Sequence, residues 1–166
     1  PGMELIDHSF TLPLDYNDPT ARKIKVFVRE VRDLDPKSEE KPFLLFLQGG
    51  PGFRAPLPIK KEGWLKRALS EFRVLMYDTR GNGLSTPVSH QTIAGEGDAA
   101  QQADYLKHFR ADNIVRDAEA IRAHMSPNEP WSTIGQSYGG WCTTTYLSLH
   151  PEGLKECFIF GGVPGL

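Results

Sequence analysis

Ser137 stands at the centre of Gly135-Gln136-Ser137-Tyr138-Gly139-Gly140, a G-x-S-x-G pattern. A serine hydroxyl is a weak nucleophile until a neighbouring base takes its proton. Acyl transfer through serine therefore needs a presented hydroxyl, a base, and donors for the oxyanion of the tetrahedral intermediate. The flanks decide whether the pattern is more than a chance loop. Residues 130–134 read as a short buried strand, and residues 141–150 as a helix that stops at Pro151. A serine between a strand and a helix sits on a sharp turn with its hydroxyl above the sheet edge. Strand and helix pass close together there, so a side chain at Gly135 or Gly139 would collide. Gly140 extends the same support.

The elements around this turn follow from periodicity. Residues 8–14 alternate polar and apolar, as does the stretch 24–31, and a turn-rich segment with Asn17, Asp18 and Pro19 separates them. The two are expected to form an antiparallel hairpin. Residues 33–41 form a charged loop containing Pro36. The texture then changes. Residues 43–47 are uniformly apolar, as suits a strand buried on both faces of a parallel sheet. A short helix is expected at 64–69, a buried strand at 72–77, irregular chain at 86–97, and helices at 98–109 and 113–125, the latter capped by Asn113. A last strand at 156–160 ends in Gly161-Gly162. A hairpin followed by alternating strands and helices means an α/β fold with a mostly parallel sheet and flanking helices. Sites in such sheets lie beyond the carboxyl ends of the strands. Three glycine-rich loops leave those ends: 48–53, 78–85 and 135–140.

Composition narrows the function. A length of 166 residues fits one domain, 1–166, and a net charge of −2 leaves no electrostatic footprint for nucleic acid or an anionic membrane. No apolar run approaches the ~20 residues that span a bilayer. The first residues lack the basic-then-apolar pattern of a signal peptide, which points to the cytoplasm. Cys142 and Cys157 make no disulfide framework and read as buried free thiols. Cys142 falls in the first turn of the helix after Ser137, where the helix dipole is expected to lower its pKa. The histidines show no paired metal-ligand spacing, so neither a metal nor any other cofactor is expected.

The three loops together carry a resemblance. Gln48-Gly49-Gly50-Pro51-Gly52, the run Asp78-Thr79-Arg80-Gly81-Asn82-Gly83-Leu84-Ser85, and Gly135-Gln136-Ser137-Tyr138-Gly139-Gly140 resemble, in order and spacing, the α/β-hydrolase fold. Within it they resemble the proline iminopeptidase (prolyl aminopeptidase) family of serine peptidases. Many members have His where Gln48 stands, and the form with Gln resembles a longer branch. The resemblance implies Ser137 as nucleophile. It implies the backbone N–H of Tyr138, at a helix N-terminus, as one oxyanion donor, with the other from Gly49 or Gly50. Pro51 stiffens that loop. Asp78 and Arg80 read as scaffold that ties neighbouring loops together. The implied substrate is a peptide with N-terminal proline, or a small amide or ester.

The base is missing. Nucleophile, acid and histidine follow in that order in this fold, and His150 alone lies after Ser137. It stands thirteen residues on, about 18 Å along the same helix at 1.5 Å per residue. His8, His90, His108 and His124 precede Ser137 and read as surface or helix-face residues. His90 is the one whose irregular surroundings could bring it near the site. The chain is therefore expected to be the N-terminal part of a longer enzyme. Its cap, further strands, and triad Asp and His would lie beyond residue 166. By itself it is expected to be inactive and poorly soluble, with an apolar strand edge at 157–160. Two other readings share these residues: an esterase or lactonase of the same fold, and a non-catalytic α/β binding module.

Overall fold

A computed structural model describes residues 2–18, 20 and 22–162. Six strands are present among them: β1 (Met3–Pro13), β2 (Lys23–Asp33), β3 (Phe43–Leu47), β4 (Arg73–Asp78), β5 (Trp131–Gln136) and β6 (Leu154–Phe160). They form one sheet in the order β1-β2-β4-β3-β5-β6. The hairpin is antiparallel, with Met3 opposite Asp33 and Pro13 opposite Lys23. Its second strand docks antiparallel on β4, and β4, β3, β5 and β6 run parallel. The sheet is thus mostly parallel, with the hairpin along one side.

Five α-helices among the described residues connect the strands: α1 (Gly63–Leu69), α2 (His90–Ala94), α3 (Ala99–Leu106), α4 (Ala111–Met125) and α5 (Tyr138–Leu149). The uniformly apolar strands face two cores. On one side Leu45, Leu47, Leu75, Tyr77 and Trp131 pack with Ile114, Val115, Ala118 and Ile121 of α4 and Cys142 and Tyr146 of α5. On the other Leu44, Phe46, Val74 and Met76 meet Leu65 and Leu69 of α1. Burial on both faces is why these strands lack the alternation of the hairpin.

The two sheet edges differ in character. Along β1, Asp7 lies opposite Arg29 and bonds it at 2.7 Å, and Glu4 lies opposite Arg32 at 2.7 Å. Such cross-strand pairs suit an edge facing water. Along β6, Phe158, Ile159 and Phe160 are 43 to 49% exposed, the apolar edge expected from the sequence.

Local chemistry corrects several boundaries. The stretch 86–97 contains α2, which starts on a reciprocal cap between Ser89 and Thr92. The charged loop 33–41 holds a single 3₁₀ turn at Pro36–Glu40, begun by the Asp35 side chain. The expected helix 98–109 ends as α3 at Leu106 and tightens into a 3₁₀ turn over Lys107–Phe109. Asn113 does not cap α4. That helix begins two residues earlier, and Asn113 is buried in its first turn, donating from Nδ2 to the His108 carbonyl at 3.2 Å. Cys142 is buried, whereas Cys157 on β6 is only half-buried. No helix among the described residues is long and apolar enough to cross a membrane.

Candidate active site

The turn from β5 to α5 is built by subtraction. Ser137 takes φ 53° and ψ −115°, a positive φ found at no other non-glycine residue among those described. Such a conformation costs on the order of 1–3 kcal/mol and persists only where its surroundings enforce it. The Ser137 N–H donates to the Phe160 carbonyl at 3.1 Å, and its carbonyl accepts from Gly140 N–H at 2.9 Å. The glycines let the elements close around it. A Cβ at Gly139 would stand 1.9 Å from the Leu47 carbonyl oxygen. One at Gly135 would stand 2.4 Å from the Gly139 carbonyl oxygen and 2.5 Å from Thr143 Oγ1. One at Gly140 would meet Ile159 Cγ2 at 2.8 Å. The side chain of Ser137 is left half-exposed at the top of the sheet.

The loop after β3 comes to the same place. Gly49 is buried, and a Cβ on it would lie 3.2 Å from Ser137 Cβ and 2.8 Å from Gln136 Oε1. Gly50 is exposed with φ +130°, and the Gly50–Pro51 bond is cis. Gly49, Pro51 and Phe53 form one wall of a narrow crevice whose other walls are Thr79, Asn82, Phe109, Ile114, Tyr138 and Cys142. Tyr138 opens α5, so its N–H belongs to the first turn, free of an i−4 partner within the helix. Burial, reinforced by the Cys142 sulfur, raises its phenol pKa to about 12. Burial likewise pushes the Cys142 thiol up to about 12, opposite to the lowering expected from the helix dipole. Cys142 packs into the core with 1% of its surface exposed, so desolvation outweighs the dipole.

The loop after β4 is held by charge. Arg80 is buried and spends all five N–H donors inside the protein. Nε and Nη2 form a fork on Asp117 at 2.7 and 2.6 Å. The remaining donors reach the carbonyls of Leu14 at 2.8 Å, His108 at 2.7 Å and Pro13 at 3.1 Å. Tyr16 adds a bond to Asp117 at 2.7 Å. No donor of Arg80 remains for a ligand, which places it in the scaffold. Asp117 escaped the sequence reading because it looks like one more polar position on an amphipathic helix. Asp78, at the end of β4, accepts the N–H of Ala55 and of Leu84, each at 2.8 Å.

The histidines lie elsewhere. His150 closes α5 at its far end, 3.5 Å from Glu152. His8 bonds Glu30 at 3.0 Å on the hairpin. His90 is exposed at the start of α2, and His124 on α4 packs edge-on against Phe10. His108 offers its carbonyl to Arg80. Among the described residues no hydrogen bond joins a histidine ring to Ser137.

Comparison with known proteins agrees with this architecture. The family model described as alpha/beta hydrolase fold matches residues 42–164. A proline iminopeptidase of Aeromonas sobria is 53% identical over 163 residues, covering 98% of this chain and 38% of that protein. The proline iminopeptidase aneH of Aspergillus aculeatus is 42% identical over 160 residues, covering 92% and 36%. The chain thus spans under two fifths of the length of these curated relatives. Among solved structures, a proline iminopeptidase-related protein from Thermus thermophilus superposes with a TM-score of 0.61 at 20% identity, over 95% of this chain and 45% of that one. A glycine-lined strand-to-helix turn, the loops beside it and a family match across most of the sequence converge on one assignment: the chain belongs to the α/β-hydrolase fold family.

Proposed function

We propose that these residues are the nucleophile and oxyanion half of a serine aminopeptidase that releases N-terminal proline from peptides. Ser137 Oγ attacks the carbonyl carbon of the proline residue. The resulting oxyanion is met by the backbone N–H of Tyr138 and that of Gly49 or Gly50. Collapse expels the amine of the shortened peptide and leaves a prolyl ester on Ser137. Water then hydrolyses that ester to free proline and regenerates the hydroxyl. The base for both steps is a histidine oriented by an aspartate, supplied by residues after 166. Gly135, Gly139 and Gly140 hold the turn, and no metal or organic cofactor enters the reaction.

The observation that carries this reading is the strained backbone of Ser137 with the Gly49 backbone pressed against it. Among the described residues the Ser137 hydroxyl makes no hydrogen bond that would tie β5 to α5. The 53% identity to a proline iminopeptidase supports the choice of substrate. The test is hydrolysis of a chromogenic proline amide and of an acetate ester by the protein expressed from its complete gene. Wild type should prefer the amide, and Ser137→Ala should lose at least about 10⁴-fold in kcat. Undiminished turnover by Ser137→Ala would remove the serine mechanism. A preference for the ester would move the substrate to the esterases.

A further inference from the structure

The loop 49–53 has no regular structure of its own, yet its value to Ser137 depends on where its N–H groups stand. One end is fixed, because Leu47 lies in β3 and Gly49 is pressed against Gln136 and Ser137. The other end is fixed from a different strand. Asp78 Oδ1 accepts the Ala55 N–H at 2.8 Å, two residues past Phe53. Its second oxygen accepts the Leu84 N–H at 2.8 Å. Both Asp78 and Ala55 are more than nine-tenths buried. Gly83, at φ +56°, gives the carboxylate its room: a Cβ there would stand 2.0 Å from Oδ2. A carboxylate accepts on both oxygens, so it can bridge two N–H donors. An amide of the same shape cannot, because its NH₂ would face one of them. Ser85 makes a separate tie. Its Oγ donates to the Asp78 carbonyl at 2.5 Å and accepts the Phe27 N–H at 2.9 Å, joining the end of β4 to the hairpin without touching the carboxylate.

This geometry points to Asp78 as a positioning residue for the oxyanion loop. Its carboxylate sets where the Gly50 N–H, beyond the end already fixed at Gly49, stands relative to Ser137, and so acts on the transition state rather than on substrate binding. The inference rests on the reading of Ser137 as the nucleophile. A displacement of about 1 Å in such a donor is enough to cost on the order of 10²-fold in rate.

The experiment uses the protein from its complete gene, with a chromogenic proline amide as substrate. It adds two ligands, prolinal and free proline. Prolinal forms a tetrahedral adduct with the serine and draws on the oxyanion donors, whereas proline does not. Asp78→Asn should lower kcat about 10- to 100-fold with KM within about twofold. Affinity for prolinal should fall by a similar factor and affinity for proline should hold. Ser85→Ala should lower the unfolding midpoint while keeping kcat and the prolinal-to-proline affinity ratio. If Asp78→Asn does not accumulate folded, Asp78→Ser, which keeps one acceptor in less volume, carries the same measurement. Unchanged kcat and an unchanged affinity ratio in a folded Asp78 variant would overturn the inference. An equal loss in Ser85→Ala would overturn it too, by showing general loosening. A fluorophosphonate probe on wild type separates the two levels: no labelling of Ser137 fails the nucleophile reading and this inference with it. Labelling with an indifferent Asp78 fails the inference alone.

Discussion

Two neighbouring loops reach the top of the sheet and are held there by opposite means. The turn at Ser137 is held by what is missing: Gly135, Gly139 and Gly140 leave no room for another atom. The loop after β4 is held by what is present, namely Arg80 with five bonds and Asp78 with two. The first constraint is steric, and at Gly139 no second substitution relieves it, because the obstructing atoms there are the backbone of Leu47 and Gln48. The second is electrostatic and hydrogen-bonded. Removing both partners of such a pair is far milder than removing one.

The largest effect should come from the steric side. Gly139→Ala would place a methyl 1.9 Å from the Leu47 carbonyl oxygen, and backbone must move to admit it. We expect a loss of more than about 4 kcal/mol, read as absence of a cooperative unfolding transition. A Gly139→Ala variant with a near-wild-type transition would break the comparison. Next is Arg80→Ala, which strands a buried carboxylate at Asp117 and should cost about 3–5 kcal/mol by denaturant titration. Arg80→Met with Asp117→Leu should recover part of that loss, whereas no partner change should rescue Gly139→Ala. Equal losses in the single and double variants would mean that the carbonyl contacts, not the charge pair, carry Arg80. The smallest effect separates two thiols. Cys142, with its pKa pushed up to about 12, should resist iodoacetamide at pH 8, while half-buried Cys157 reacts first. Faster alkylation of Cys142 would mean that α5 opens readily at its first turn.

The same contrast explains what could be read without coordinates. Ser137 and its glycines were legible because steric necessity leaves a residue-type signature: only glycine fits. The apolar runs of β3 and of residues 74–76 in β4 were legible because burial on both faces selects apolar side chains at successive positions. The fork between Arg80 and Asp117 was not, since a charge on a helix looks the same whether its partner is water or a buried guanidinium. α2 escaped because its five residues carry no apolar stripe, and its cap lies in Ser89 and Thr92 alone. Asn113 looked like a cap by residue type but sits inside the first turn, its amide committed to His108. Cys142 followed the dipole argument into the wrong sign because its desolvation depends on α4 and β3, which are remote in sequence. Nor does periodicity say that the hairpin docks on β4 rather than on β3.

That strand order has a consequence for how the protein is made. β3 is synthesised before either of its neighbours, β4 and β5, and is paired on both sides only when they arrive. The glycine loop that follows β3 therefore emerges early and waits through most of the chain for the Gln136 and Ser137 backbone that fixes one of its ends. On the ribosome the hairpin strands emerge first, and the loop takes its shape only once β5 adds to β3. The turn with the tightest steric tolerance is thus among the last parts of the described sheet to be assembled.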